Sequence, residues 1–202
     1  MMILPVSFYT RKDVVKVARD LLGKVLVTNF EGQYTSGIIV ETEAYAGASD
    51  KASHAFGNRR TRRTEVMYRE GGTAYVYLIY GIHHLFNVVT HLAEVPHAVL
   101  VRAVEPLDGV DIMMERRGME VIKLNITAGP GAMSQALGIY TKHTGLPLSG
   151  PDIYIEDRGI KIAPKNIVAA TRVGVAYAAE DALLPYRFYV KGNKYVSKGK
   201  GL

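Results

Sequence analysis

The stretch Ala74-Tyr75-Val76-Tyr77-Leu78-Ile79-Tyr80-Gly81 decides the fold. Aromatic and β-branched residues dominate it, which suits a pleated, half-buried strand. Gly81 breaks it, and His84–Thr90 reads as the returning strand of a hairpin. Tyr75 and Tyr77 share one face of the strand, whereas Tyr80 has the opposite parity and sits at the turn. A sheet-face aromatic cluster accounts for Tyr75. An exposed tip tyrosine is costly unless something stacks on it, and nucleic-acid bases and protein grooves are the usual candidates.

Other elements follow outward from this hairpin. Lys24–Asn29 and Tyr34–Glu43 read as paired strands around Glu31-Gly32-Gln33, and Ala98–Val104 as a further strand. A first helix is expected from Thr10, with Asp13 as a variant capping box, an apolar face of Val14, Val17, Ala18, Leu21 and Leu22, and Gly23 as its stop. Pro106–Arg117, closed by Gly118, and Thr127–Leu137, with Pro130 near its first turn, read as helices. The C-terminal third holds Ala169–Val175 and the strand-like Tyr186–Lys191. Gly47–Gly72 is polar, basic and glycine-punctuated, a loop long enough to expect function in it. Without repeats, linkers or low-complexity tracts, residues 1–202 read as one α+β domain with a mostly antiparallel sheet and flanking helices.

Composition narrows the class. The 202 residues include no cysteine, which excludes a disulfide framework and thiolate metal sites. Met1-Met2-Ile3-Leu4-Pro5 is too short for a signal-peptide core and lacks a basic flank, and no apolar run approaches a membrane span. The expectation is an intracellular protein, cytoplasmic or nucleoid-associated, with no membrane partner. Lys and Arg number 25 against 19 Asp and Glu, a net charge of +6 that favours polyanionic partners. Arg59, Arg60, Arg62 and Arg63 concentrate that charge in the long loop, and Lys191, Lys194, Lys198 and Lys200 in the tail. Solvated loop and frayed end are the plainer readings of both.

Two groups could carry chemistry. Val40-Glu41-Thr42-Glu43-Ala44-Tyr45 ends a strand expected to be central, with Glu41 and Glu43 on one face, about 7 Å apart. Such carboxylates are either a general base facing substrate or edge charges paired with nearby arginines. His83, His84, His91 and His97, with Glu94, crowd one segment, but their spacing matches no compact metal-ligand pattern. Ala128-Gly129-Pro130-Gly131-Ala132-Met133 opens a helix and could offer N–H groups to a phosphate, without being a nucleotide fingerprint. No metal or cofactor is expected.

Taken together, the segments resemble the alkyladenine (3-methyladenine) DNA glycosylase family. They are Val40–Tyr45, His54, Tyr75–Gly81, Phe86-Asn87-Val88, Val99–Leu107, Gly129-Pro130, Gln135-Ala136-Leu137, Arg172–Val175 and Arg187–Val190, in the family's order from Leu21 to Ser197. The resemblance implies a core similar to the C-terminal domain of methionyl-tRNA formyltransferases and a protruding hairpin that inserts Tyr80 into DNA. It implies that damaged purines are flipped from duplex DNA. Tyr45 would stack on one face of the base and His54 with Tyr77 on the other, while Asn87 disfavours normal guanine. Glu43, not Glu41, would activate the water, with Arg102 and the Val173 carbonyl holding it. The arginine loop would contact the backbone, and an abasic site would be left without strand nicking, by a monomer needing no protein partner. Two departures stand out: His83-His84 follow the tip where some relatives carry an aromatic residue, and Gly145–Lys165 differs in length and character. Rival readings are a non-catalytic nucleic-acid-binding module, which would tolerate loss of Glu43, and a formyltransferase-like small-molecule enzyme, which would need neither Tyr80 nor the arginine loop.

Overall fold

A computed structural model describes residues 2–199; Met1 and Lys200 lie outside the described residues. The strands are β1 (Met2–Ile3), β2 (Val25–Phe30), β3 (Gln33–Tyr45), β4 (Ala74–Ile79), β5 (His83–Thr90), β6 (His97–Asp108), β7 (Ile153–Asp157), β8 (Ile167–Ala170) and β9 (Arg187–Val190). All nine belong to one sheet and every pairing is antiparallel, in the order β1-β7-β2-β3-β6-β5-β4. Strand β9 joins β3 at Glu41–Glu43, beyond the point where β2 ends at Val25↔Ile38, and carries β8 on its other side. Four helices, α1 (Val6–Tyr9), α2 (Val14–Asp20), α3 (Val110–Arg116) and α4 (Pro130–Ala136), pack around the sheet, giving the expected α+β class.

Several boundaries differ from the sequence reading. Helix α2 begins at Val14, not Thr10, because the Asp13 carboxylate accepts the Lys16 N–H and so caps it there. Pro106, Leu107 and Asp108 continue β6, paired with β3 as far as Ser36↔Asp108, and α3 starts only after Gly109. Gly109 holds a φ of +70°, and a Cβ there would lie 2.2 Å from the Tyr34 carbonyl oxygen, so the chain turns where only glycine fits. Helix α4 begins at Pro130 rather than Thr127, whose hydroxyl instead bonds the Val104 carbonyl. Of the stretch Ala169–Val175 only Ala169 and Ala170 are strand, as the end of β8. Strand β7, between β1 and β2, was not foreseen; its Ile153 and Ile155 are core residues.

The core lies between the sheet and helices α2, α3 and α4, and two β-bulges determine what faces it. Ile39 and Ala44 both belong to the core although their parities differ. The register runs Ile39↔Val104 then Glu41↔Ala103, so Val40 is the extra residue that switches parity. On β6 the next pair is Thr42↔Val101, leaving Arg102 as the extra residue. Val99, Val101 and Val104 therefore reach the core, while Leu100 lines the opposite groove and Arg102 meets Glu41 and Glu43. An unbulged β3 would have turned both glutamates to the same side as Ile39. Thr42, between them, faces the other way and donates its hydroxyl to the Ala18 carbonyl of α2.

Candidate active site

The aromatic pair on β4 is buried at Tyr75 and half-buried at Tyr77. His54, from the loop after β3, fits edge-on to Tyr77 with ring centroids 4.6 Å apart. Its Nδ1 lies 2.8 Å from the Tyr75 hydroxyl, and a guanidinium N–H of Arg63 approaches Nε2 at 3.3 Å. That arrangement suits a neutral ring donating from Nδ1 and accepting at Nε2. Burial first, then the charges of Arg63 and Arg59, push His54 down to about 4, so the ring is neutral at physiological pH. Asn87, on β5, donates from Nδ2 to the carbonyls of Tyr75 and Leu85, at 3.1 and 3.2 Å. Together with Tyr45, these residues line one recess.

Glu43 and Tyr45 come from the end of β3. Glu43 is wholly buried but not alone: Tyr45 donates its hydroxyl to Oε2 at 2.8 Å, and the Val173 amide donates to Oε1 at 2.8 Å. Arg102 places Nη1 3.2 Å from the same Oε1. Burial, followed by the neighbouring Glu43 charge, holds the Tyr45 hydroxyl well above its ordinary value, so it stays a donor. Burial works against the Arg102 charge, yet Glu43 and Glu41 more than offset it. Both readings of the glutamate pair thus contain part of the arrangement: Glu41 is engaged by Arg102 and Arg187, while Glu43 stands behind Tyr45, Arg102 and Val173, which line a groove. Val173 contacts Glu43 through its N–H, not its carbonyl.

The groove has a volume of about 740 Å³ and runs from this wall to the hairpin. At the tip, Tyr80 has a φ of +54° and is 85% exposed, with Gly81 at +73° beside it. Two successive left-handed residues turn the chain sharply and push the tyrosine ring out of the sheet. The start of α4, Gly129 to Ala132, forms the other bank.

The arginine run divides. Arg60 is tied to Glu65 at 2.8 Å and Glu94 at 2.6 Å. Arg63, also exposed, lays its guanidinium 4.8 Å over the Tyr77 ring. Arg59 and Arg62 are exposed and form no ion pair with described residues.

Two participants escaped sequence reasoning. Tyr177 lines both the recess and the groove, with its hydroxyl on the Ala52 carbonyl at 3.1 Å. Arg172 is fully buried behind Tyr45, 4.9 Å from its ring, and forks onto both oxygens of Asp50 and the carbonyls of Ala44 and Asp181. Its place in Arg172–Val175 was visible; its partner, 122 residues away, was not. The histidine run does not gather: no group of three or more His, Asp or Glu with metal-site geometry occurs among the described residues. His84 instead accepts the Thr141 N–H, and His97 packs edge-on to His91.

The site thus combines a buried carboxylate behind an aromatic recess with an exposed tyrosine across the groove. The family model for methylpurine-DNA glycosylase matches residues 7–194. The chain belongs to the methylpurine-DNA glycosylase family. A Clostridium novyi protein is 46% identical over 199 residues, 95% of this chain and 96% of its own length. One from Chlamydia abortus is 48% identical over 189 residues, 92% and 96% of the two chains, and one from Bacillus cereus 47% over 202 residues, 96% and 98%. Each bears the name "Putative 3-methyladenine DNA glycosylase". No helix among the described residues of this glycosylase-family chain is long and apolar enough to cross a membrane.

Proposed function

We propose that this protein is a DNA-repair enzyme that excises alkylated and deaminated purines from duplex DNA by hydrolysing the N-glycosidic bond. The observation that carries the reading is Glu43: a fully buried carboxylate held by three donors, directly behind the wall of an aromatic-lined groove. Burying such a charge costs several kcal/mol, of order 3–5 when a partner is lost, so its persistence at the groove wall favours use over accident.

Tyr80 fills the gap left in the base stack, and the extruded purine enters between Tyr45 and the His54–Tyr77 pair. A neutral His54 suits a cationic methylated purine, which an imidazolium would repel. Asn87, pinned by two carbonyls, cannot swing aside for the 2-amino group of a normal guanine. A water admitted between Tyr45, Arg102 and the Val173 carbonyl gives its proton to Glu43 as its oxygen bonds to C1′. The C1′–N bond breaks and its electron pair leaves with the base, while the carboxylate stabilises the oxocarbenium-like sugar. A cationic lesion departs neutral; hypoxanthine needs an added proton, so its rate has a falling limb at high pH that the cationic lesion lacks. Among the described residues no lysine lines the groove or the recess, so no described side chain there forms the imine that strand cleavage requires. Arg59 and Arg62 hold the phosphate backbone.

The test is release of free base from duplex oligonucleotides carrying one 7-methylguanine, hypoxanthine or ethenoadenine. The expected product is an intact abasic site that breaks only on alkali treatment. Binding without base release, for every lesion, would overturn the proposal in favour of a non-catalytic module.

A further inference from the structure

Glu41, on the same face as Glu43, is fully buried and accepts four hydrogen bonds, and the proposed hydrolysis does not touch it. Its Oε1 accepts from Arg187 Nε at 2.7 Å, Arg102 Nε at 2.9 Å and the Ser197 hydroxyl at 2.9 Å. Its Oε2 accepts the Ser197 amide at 2.7 Å. The chain beyond β9 folds back to provide those contacts. Arg187 holds it with Nη1 on the Gly199 carbonyl at 2.9 Å. Gly199 is packed so closely that a Cβ would sit 3.0 Å from Val173 Cγ1 and 3.3 Å from Arg102 Nη2. Residues 197–199 therefore form a strap behind both groups that contact Glu43 on this side.

We infer that Glu41 is a positioning residue for excision: it shares Arg102 with Glu43 and, with Arg187 and the strap, sets how strongly Arg102 engages the base. The inference rests on Glu43 being that base. The cluster holds two carboxylates and two guanidiniums. Arg102 spans the pair, nearer to Glu41 at 2.9 Å than to Glu43 at 3.2 Å. A buried four-charge cluster is a poor way to gain stability, since apolar replacements of similar volume are often as good or better. Its distinctive property is balance. Arg102 held only by Glu43 would bind that carboxylate tightly and weaken it as a proton acceptor; Arg102 shared with Glu41 still orients it. The other charged or titratable groups facing Glu43 are Tyr45 on its own strand, Tyr77 on β4, Arg172, and Tyr177 in the loop after β8. None of them contacts Glu41; Arg102 is the charged group that touches both carboxylates.

The balance gives two variants opposite signs. Glu41→Gln leaves two guanidiniums for one carboxylate and drives Arg102 onto Glu43. Arg187→Gln removes the competitor for Glu41 and draws Arg102 away from Glu43. Single-turnover excision of 7-methylguanine from a duplex oligonucleotide, measured across pH, reads both. In Glu41→Gln the acid-side limb of the rate should move to lower pH, and in Arg187→Gln to higher pH. The Glu41→Gln plateau should drop ~10-fold or more, with affinity for lesion DNA held within ~2-fold. A role confined to packing would lower melting temperature and rate without opposite displacements of the acid limb. Unmoved limbs, or limbs displaced in the same direction, overturn the inference. If Glu41→Gln does not fold, Arg187→Gln decides alone: a rise supports sharing, an unmoved limb refutes it. Glu43→Gln is the control. Should it cut at the wild-type rate, the assignment of the base fails; should it be inactive while both limbs stay put, only the role of Glu41 fails.

Discussion

Replacing Glu43 by glutamine is the sharpest perturbation, because the structure predicts that it damages chemistry and little else. The Val173 N–H requires an acceptor where Oε1 stands, 2.8 Å away, so the new amide must place its oxygen there. Its NH₂ then occupies the Oε2 position, 2.8 Å from the Tyr45 hydroxyl, which can rotate to accept. Arg102 keeps Glu41 at 2.9 Å. The Val173 amide keeps its acceptor, whereas Glu43→Ala would strand it at a cost of about 1–3 kcal/mol. The loss should thus fall on proton acceptance and on stabilisation of the cationic sugar. Together these are worth ~10²–10⁴ in rate, about 3–5 kcal/mol of barrier. Single-turnover base release with enzyme in excess, beside equilibrium binding of the same duplex, separates the two quantities. A Glu43→Gln enzyme that binds normally and cuts within tenfold of wild type would refute the reasoning, whatever its stability.

Three further outcomes follow from the same site. Tyr80→Ala should leave the melting temperature unchanged, since the ring is 85% exposed, yet lose ~1–3 kcal/mol of binding to lesion DNA and less to undamaged duplex; equal losses on both would assign the tip to general backbone contact. The salt dependence of binding should flatten by about one unit of slope for each of Arg59 and Arg62 that meets a phosphate, and hardly change for Arg60, which Glu65 and Glu94 already engage; a full unit lost in Arg60→Ala would show that those pairs open on DNA. His54, lowered to about 4 by burial and by Arg63 and Arg59, takes up its proton in the unfolded chain first, so its contribution is complete above about pH 6.5 and lost as pH falls toward 4. Thermal melts across that window should decline less steeply in His54→Gln, and an identical decline would place the acid sensitivity elsewhere, with His97 the next candidate.

The sequence by itself marked β2 to β6 and β9 and many of the residues that gather around the groove. Runs of aromatic and β-branched residues bounded by glycine and other turn residues marked β3, β4, β5 and β6. Tyr80 beside Gly81 marked the exposed tip, since few residues other than glycine accept that backbone comfortably. Strand β7 stayed hidden because a five-residue strand gives too little periodicity, and α2, α3 and α4 were read too long at their starts because caps and glycine turns, not apolar content, set where they begin. Only the tertiary structure decided how the charges are apportioned. By spacing alone Glu41 and Glu43 were equivalent, the resemblance singling out Glu43, and the four arginines were one patch. The bulges at Val40 and Arg102 turn both glutamates to the site side of the sheet and aim one guanidinium between them. The return of residues 197–199 commits Glu41 to Arg187 and the strap, and the packing of Glu65 and Glu94 removes Arg60 from the free cations. Partners separated by 61 to 156 residues leave no mark in local pattern, because an ion pair depends on distance in space and periodicity records only distance along the chain.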